Sequence, residues 1–154
     1  MDPKADLIQT WTINDRLNRY LLDAVPVEFL SSKLEKGKTI EGQFAHIHNV
    51  RLMWLKASAP DLHESQVKLE GAQLDPTKIA EALIQSGNAI EDLIGQSWED
   101  GGRVKNFKPH VTAFVAYLIA HEANHRSQVE IAMRQAGHPL TDKIAYGLWE
   151  WGSR

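Results

Sequence analysis

Apolar side chains recur three and four residues apart in four separate stretches of the chain, and nowhere is the alternation of a half-buried strand sustained. This periodicity points to the all-α class, because each stretch has one stripe to bury and other helices to bury it against. In the first stretch, residues 4–24, Leu7, Trp11, Leu21 and Val25 share a stripe with Asn14 and Asn18, and Pro26 ends it. The second starts at Thr39, whose hydroxyl suits a helix cap, and runs to residue 58 before Pro60. The third opens on Asp75-Pro76, a capping acceptor followed by a residue with no amide to satisfy, and continues to residue 98 through Ile79, Leu83, Ile90 and Ile94. The fourth covers residues 110–135 and stops at Gly137, with Pro139 beyond. A short fifth helix is expected within residues 141–151. The connections, residues 60–76 and 99–109, are polar and carry Gly71 and Gly101-Gly102. Four long helices suit a four-helix bundle, and the long second connection suits a crossover between the second and third of them.

A chain of 154 residues has the size of one domain, so a single domain over 1–154 is expected. Its 17 basic and 20 acidic side chains are spread out, without the basic stripe that phosphate neutralisation demands, so a nucleic-acid partner is not expected. The absence of cysteine fits a reducing compartment and removes thiolate nucleophiles, Cys-ligated zinc and iron–sulfur clusters. No stretch reaches the ~20 apolar residues of a membrane span, and the start of the chain does not read as a secretory leader. A cytoplasmic protein without a membrane partner is the expectation.

The chemistry is concentrated in the fourth helix, whose residues 114–129 read FVAYLIAHEANHRSQV. Phe114, Leu118, His121, His125 and Ala132 fall on one stripe, so both imidazoles should point with the apolar residues. Histidines four apart on a helix have Cβ atoms roughly 5 to 6 Å from each other, within reach of one ion. A third ligand is expected from the second helix, which offers His46 and His48. His46 shares its stripe with Val50, Met53, Trp54 and Ala57, whereas His48 shares its own with Arg51, so His46 is preferred and a partly exposed histidine is the plain reading of either. His63, His110 and His138 read as surface residues at loops and helix ends. Three neutral imidazoles leave a divalent ion with its full charge and open positions, where it can lower the pKa of bound water toward ~7 or deprotonate a thiol. Nitrogen ligands suit Zn, Ni, Cu or Fe. Asn14, Gln43, Asn124 and Gln128 are the candidates for orienting the rings, and Trp54, Trp149 and Trp151 for walling the pocket.

Five segments carry a resemblance that extends over nearly the whole chain: NDRLNRYLLDAVP (14–26), GQFAHIHNVRLMW (42–54), HEANHRSQ (121–128), MRQAGHP (133–139) and YGLWEWG (146–152). They resemble the DinB/YfiT-like family of small metal-dependent enzymes, in which a ligand histidine, here His46, precedes a bulky residue by eight positions and an H-x-x-x-H-R-x-Q helix supplies two more. The resemblance implies a four-helix bundle with a crossover, a Ni or Zn site at His46, His121 and His125, and homodimers. It also implies a small-molecule substrate, with thiol S-transfer from a low-molecular-weight thiol or hydrolysis as the reaction type, through a thiolate or hydroxide delivered to an electrophile. His48 is not part of the family pattern.

Two other readings compete. A non-catalytic metal- or ligand-binding bundle of the stress- or damage-response kind would be favoured by a fourth protein ligand such as His48 or Glu122, since structural zinc is normally closed by four. Residues 121–125 also satisfy H-E-x-x-H, in which the Glu of a zincin protease is the general base. Against this, Gln128 and Ile131 stand where a metzincin carries glycine and histidine, only Glu150 is available as a third ligand, and no strands line a cleft. Glu122 then reads as a solvent-facing or salt-bridging residue.

Overall fold

Each helix begins where a side chain takes over amides that have no partner inside the helix. In the computed structural model, which describes residues 1–72 and 74–154, the Asp2 carboxylate accepts from the amides of Lys4 and Ala5 to start α1 (Pro3–Asp23). Thr39 accepts from Gly42 at the start of α2 (Ile40–Ser58). A single turn, α3 (Pro60–His63), follows, and Asp75 caps α4 (Pro76–Glu99) by accepting from Thr77. His110 caps α5 (Val111–Gln135) through Nδ1, which accepts from the Ala113 amide. Gly137, at φ +78°, takes the chain out of α5, and Thr141 caps α6 (Asp142–Gly147). The four long helices match their expected ranges to within a residue or two. The expected fifth helix is shorter than residues 141–151 and gives way to a 3-10 turn at Trp151–Ser153. Among the described residues there is no strand, only one isolated bridge between Lys33 and Thr39.

The crossover is built by side chains of α2. Its connection to α4, in which residue 73 lies outside the described residues, runs back along α2. His48 Nε2 meets the Val67 carbonyl at 2.8 Å, Asn49 exchanges two hydrogen bonds with Leu69, and the Leu74 amide donates to Glu41 at 3.0 Å. α4 therefore starts beside the start of α2 and runs parallel to it, so that Arg51 donates to the Leu83 carbonyl. α1 is antiparallel to α4, as the Lys4–Glu99 ion pair and the Trp11 Nε1 donation to Gly87 O show. α5 is antiparallel to α2, with Gln43 beside Gln128 and Trp54 beside Phe114. The winding is up-down-down-up, and α1 and α2 each pack on both α4 and α5.

The core is divided by a polar layer. One apolar cluster gathers Leu17, Leu21, Phe44, Ile47, Leu83, Val129 and Met133, and the other Trp11, Leu55, Ile90, Ile94, Phe114 and Leu118. Between them lie Asn14, Asp15, Asn18, His48, Arg51, Ser86, Glu122 and Arg126, all buried. This layer corrects the stripe assignments. The inner face of α2 runs through Phe44, Ile47, His48, Arg51 and Leu55, while His46 lies on a flank with Met53 and Ala57 exposed. On α5 the inner face includes Glu122 and Arg126, and His121 and His125 stand half-exposed at its edge. The charges are inside because they neutralise one another.

Candidate metal site

Where the flank of α2 meets the edge of α5, antiparallel packing brings His46 opposite the one-turn pair His121 and His125. Ring centroids are 5.3 Å apart for His46 and His121, 4.5 Å for His46 and His125, and 4.6 Å for His121 and His125. One ligand nitrogen from each ring lies within 4.8 Å of the others, so all three can face one ion. Burial pushes every ring below the ordinary imidazole value. Lys38 and His121 add to the effect at His46, Glu122 opposes it at His121, and His125, which also feels His121, His46 and Lys38, is lowered to about 4. The rings are therefore neutral at pH 7 with lone pairs available to a metal.

Two of the expected orienting residues act together. Gln43 Nε2 donates to Gln128 Oε1 at 2.8 Å, which turns Gln43 Oε1 toward His125 Nδ1 at 2.6 Å. An amide oxygen can only accept, so Nδ1 carries the proton and Nε2 keeps its lone pair. His121 Nδ1 is buried without a hydrogen-bond partner. The donor set thus fits a divalent cation: neutral nitrogens, one of them in a fixed tautomer and another ring with a nitrogen still unpaired.

The remaining candidates fall elsewhere. Asn14 donates to Glu122 in the polar layer, not to a histidine, and the Asn124 side chain is exposed. His48, read as partly exposed, is buried between Ser86 Oγ at 3.0 Å and the Val67 carbonyl. Of the two readings of Glu122, salt-bridging holds and solvent-facing does not, for it is fully buried: Arg51 reaches Oε1 at 2.7 Å and Oε2 at 2.9 Å, and Asn14 and Asn18 both donate to Oε2 at 2.7 Å. Burial alone would raise this carboxyl, but Arg51 holds it below the ordinary carboxylate range. A carboxylate fully buried and held by Arg51 and two asparagines is not placed to activate a water at the imidazole cluster, which argues against the protease reading. Neither His48 nor Glu122 joins the imidazole cluster as a fourth ligand.

Trp54 reaches the cluster only through Tyr117. It packs edge-on against Phe107, Phe114 and Tyr117, and the Tyr117 ring lies parallel to His121 with centroids 6.4 Å apart. Trp149, 81% exposed, and Trp151 lie on the opposite flank of α5 with Ile119, Ala123 and Ser127, and so do not wall this site. Sequence spacing missed the Arg51–Glu122–Asp15 network. Its visible traces were the two asparagines on the apolar stripe of α1 and the salt-bridging alternative for Glu122, whose partner the spacing did not name.

The protein is an all-helical bundle whose flank carries a group of three imidazoles that could hold a metal ion. The chain matches the DinB family over residues 1–151, and it belongs to that family. No curated protein matches it. No helix of the described residues is long and apolar enough to cross a membrane.

Proposed function

We propose that this DinB-family chain is a metal-dependent enzyme acting on a small molecule, with His46, His121 and His125 as the ligands of a nickel or zinc ion. The supporting observation is a cluster of three imidazoles and no fourth protein ligand among the described residues, which leaves coordination positions for substrate or water. Such an ion supplies Lewis acidity and lowers the pKa of a thiol or water bound to it. The protein's share is to keep the three rings neutral by burial, to fix His125 through Gln43, and to offer an aromatic wall of Trp54 and Tyr117 beside His121. Lys38, close enough to influence His46 and His125, adds positive potential that suits an anionic reactant such as a carboxylate-bearing thiol. The reaction class proposed, taken from the family resemblance, is S-transfer from a low-molecular-weight thiol, with hydrolysis of an activated ester as the second.

The test is to load the protein with nickel or zinc and follow glutathione or cysteine addition to 1-chloro-2,4-dinitrobenzene, alongside hydrolysis of p-nitrophenyl acetate. Turnover that chelator abolishes and His46→Ala lacks is expected. Full metal occupancy with no turnover of either kind would leave a metal-binding bundle that does no chemistry on these classes.

A further inference from the structure

On the flank of α5 opposite the histidines, a cavity of about 330 Å³ is lined by Leu17, Ile119, Ala123, Leu148, Trp149 and Trp151, with Arg126 and Glu130 as its charged groups. Its size lies at the lower end of small-ligand pockets, and its lining is mainly apolar. Arg126 is the unusual member. It is 7% exposed, and among the described residues its side chain forms one hydrogen bond, from Nη1 to Asn18 Oδ1 at 2.7 Å. The carboxylates of the polar layer are already taken: Arg51 holds Glu122 with two nitrogens and Asp15 with a third contact, and Asp15 also pairs with Arg19. Arg126 is left in contact with the neutral Asn18 alone: Glu122 and Glu130 act on it at longer range, but among the described residues no carboxylate lies within ion-pair distance. A buried guanidinium with no carboxylate in direct contact has donors left to satisfy, and its planar fork is suited to binding one side-on.

We infer that this cavity is a second binding site, separate from the imidazole cluster, for a small organic acid whose carboxylate pairs with Arg126 and whose apolar body lies between Trp149, Trp151 and Ile119. Glu130, on the same wall, sets the limit on charge. Burial raises its carboxyl from the ordinary value, with Arg134 and Arg126 opposing.

The experiment is calorimetric titration of the full-length chain with 4-phenylbutyrate, 4-phenylbutan-1-ol and 4-phenylbutylamine, with and without chelator, so that binding to a metal is separated from binding here. The acid should bind with or without chelator and, by the strength of a hydrogen-bonded charge pair, roughly 10- to 100-fold more tightly than the alcohol. Binding should be lost in Ala123→Trp, which fills the cavity from an exposed position and leaves Arg126 intact, and weakened toward the alcohol's level in Arg126→Gln. Acid binding abolished by chelator, or equal binding of acid and alcohol, would overturn the proposal. So would preference for the amine, which assigns the site to Glu130. No acid binding by a dimer that Ala123→Trp converts to monomer would also overturn it, since the cavity would then be covered by a second copy of the chain.

Discussion

Gln43 fixes the proton on His125 Nδ1, and its own orientation depends on Gln128. Replacing it with leucine removes the acceptor without opening the bundle, so metal affinity should fall by roughly 10- to 100-fold while thermal stability changes little, as competition with a chromogenic chelator would read. Asn124→Ala, at an exposed position away from the rings, should leave affinity unchanged. The titration of the same residues sets the acid sensitivity of the metal-free protein. His125 has its folded value lowered to about 4 from an ordinary 6.5, so the unfolded chain binds more protons between those values and stability is lost as pH falls from 6.5 toward 4. His46, His121 and His48 shift in the same direction, and Glu122, held low in the fold, extends the loss below its ordinary 4.5. Denaturant midpoints of the metal-free protein should hold above pH 6.5 and decline below it; a midpoint that rises on acidification would contradict these environments.

Between elements, α1 and α4 approach closely at Gly87. Its carbonyl accepts from Trp11 Nε1, and an added Cβ would come within 2.6 Å of the Asp15 carboxyl. Gly87→Ala gains about 1 kcal/mol of helix propensity. It also forces Asp15 off Arg51, at an overpacking cost of roughly 1–3 kcal/mol, so a net loss of stability is expected on chemical denaturation. The polar layer joins the elements more strongly still. Arg51→Ala leaves Glu122 and Asp15 buried without their cation, and about 3–5 kcal/mol should be lost, a large share of a domain's typical stability, read as a clearly lowered midpoint in a thermal melt. This layer also explains what could and could not be read from the sequence about each helix. Starts and stops were legible because Thr39, Asp75-Pro76 and Gly137 act locally. The inward faces of α2 and α5 were not, because periodicity assigns charge to solvent, and Arg51 and Glu122 are inside only by virtue of each other and of Asp15 on a third helix. The same error placed His46 on a core stripe when it lies on the flank, although the residue chosen was the one the structure brings to His121 and His125.

For the whole molecule, the all-helical bundle and its crossover followed from four periodic stretches and one long connection. The parallel course of α2 and α4 had no signal in composition, since it depends on Asn49 and His48 clasping a connection some 20 residues further along the chain. Trp149 and Trp151 could not be placed from sequence for a similar reason: they follow α6 onto a flank that only the winding defines. All of these features serve one arrangement, in which α2 and α5 meet antiparallel and three imidazoles share a point at the bundle's edge. The most direct test of that arrangement is the metal content, by elemental analysis, of untagged wild-type protein beside His46→Ala, His48→Ala and His125→Ala. Near-stoichiometric nickel or zinc in the wild type and in folded His48→Ala, lost in the other two, is the predicted result. Wild-type protein that stays metal-free after incubation with both ions, or metal retained in His46→Ala and His125→Ala, would contradict it.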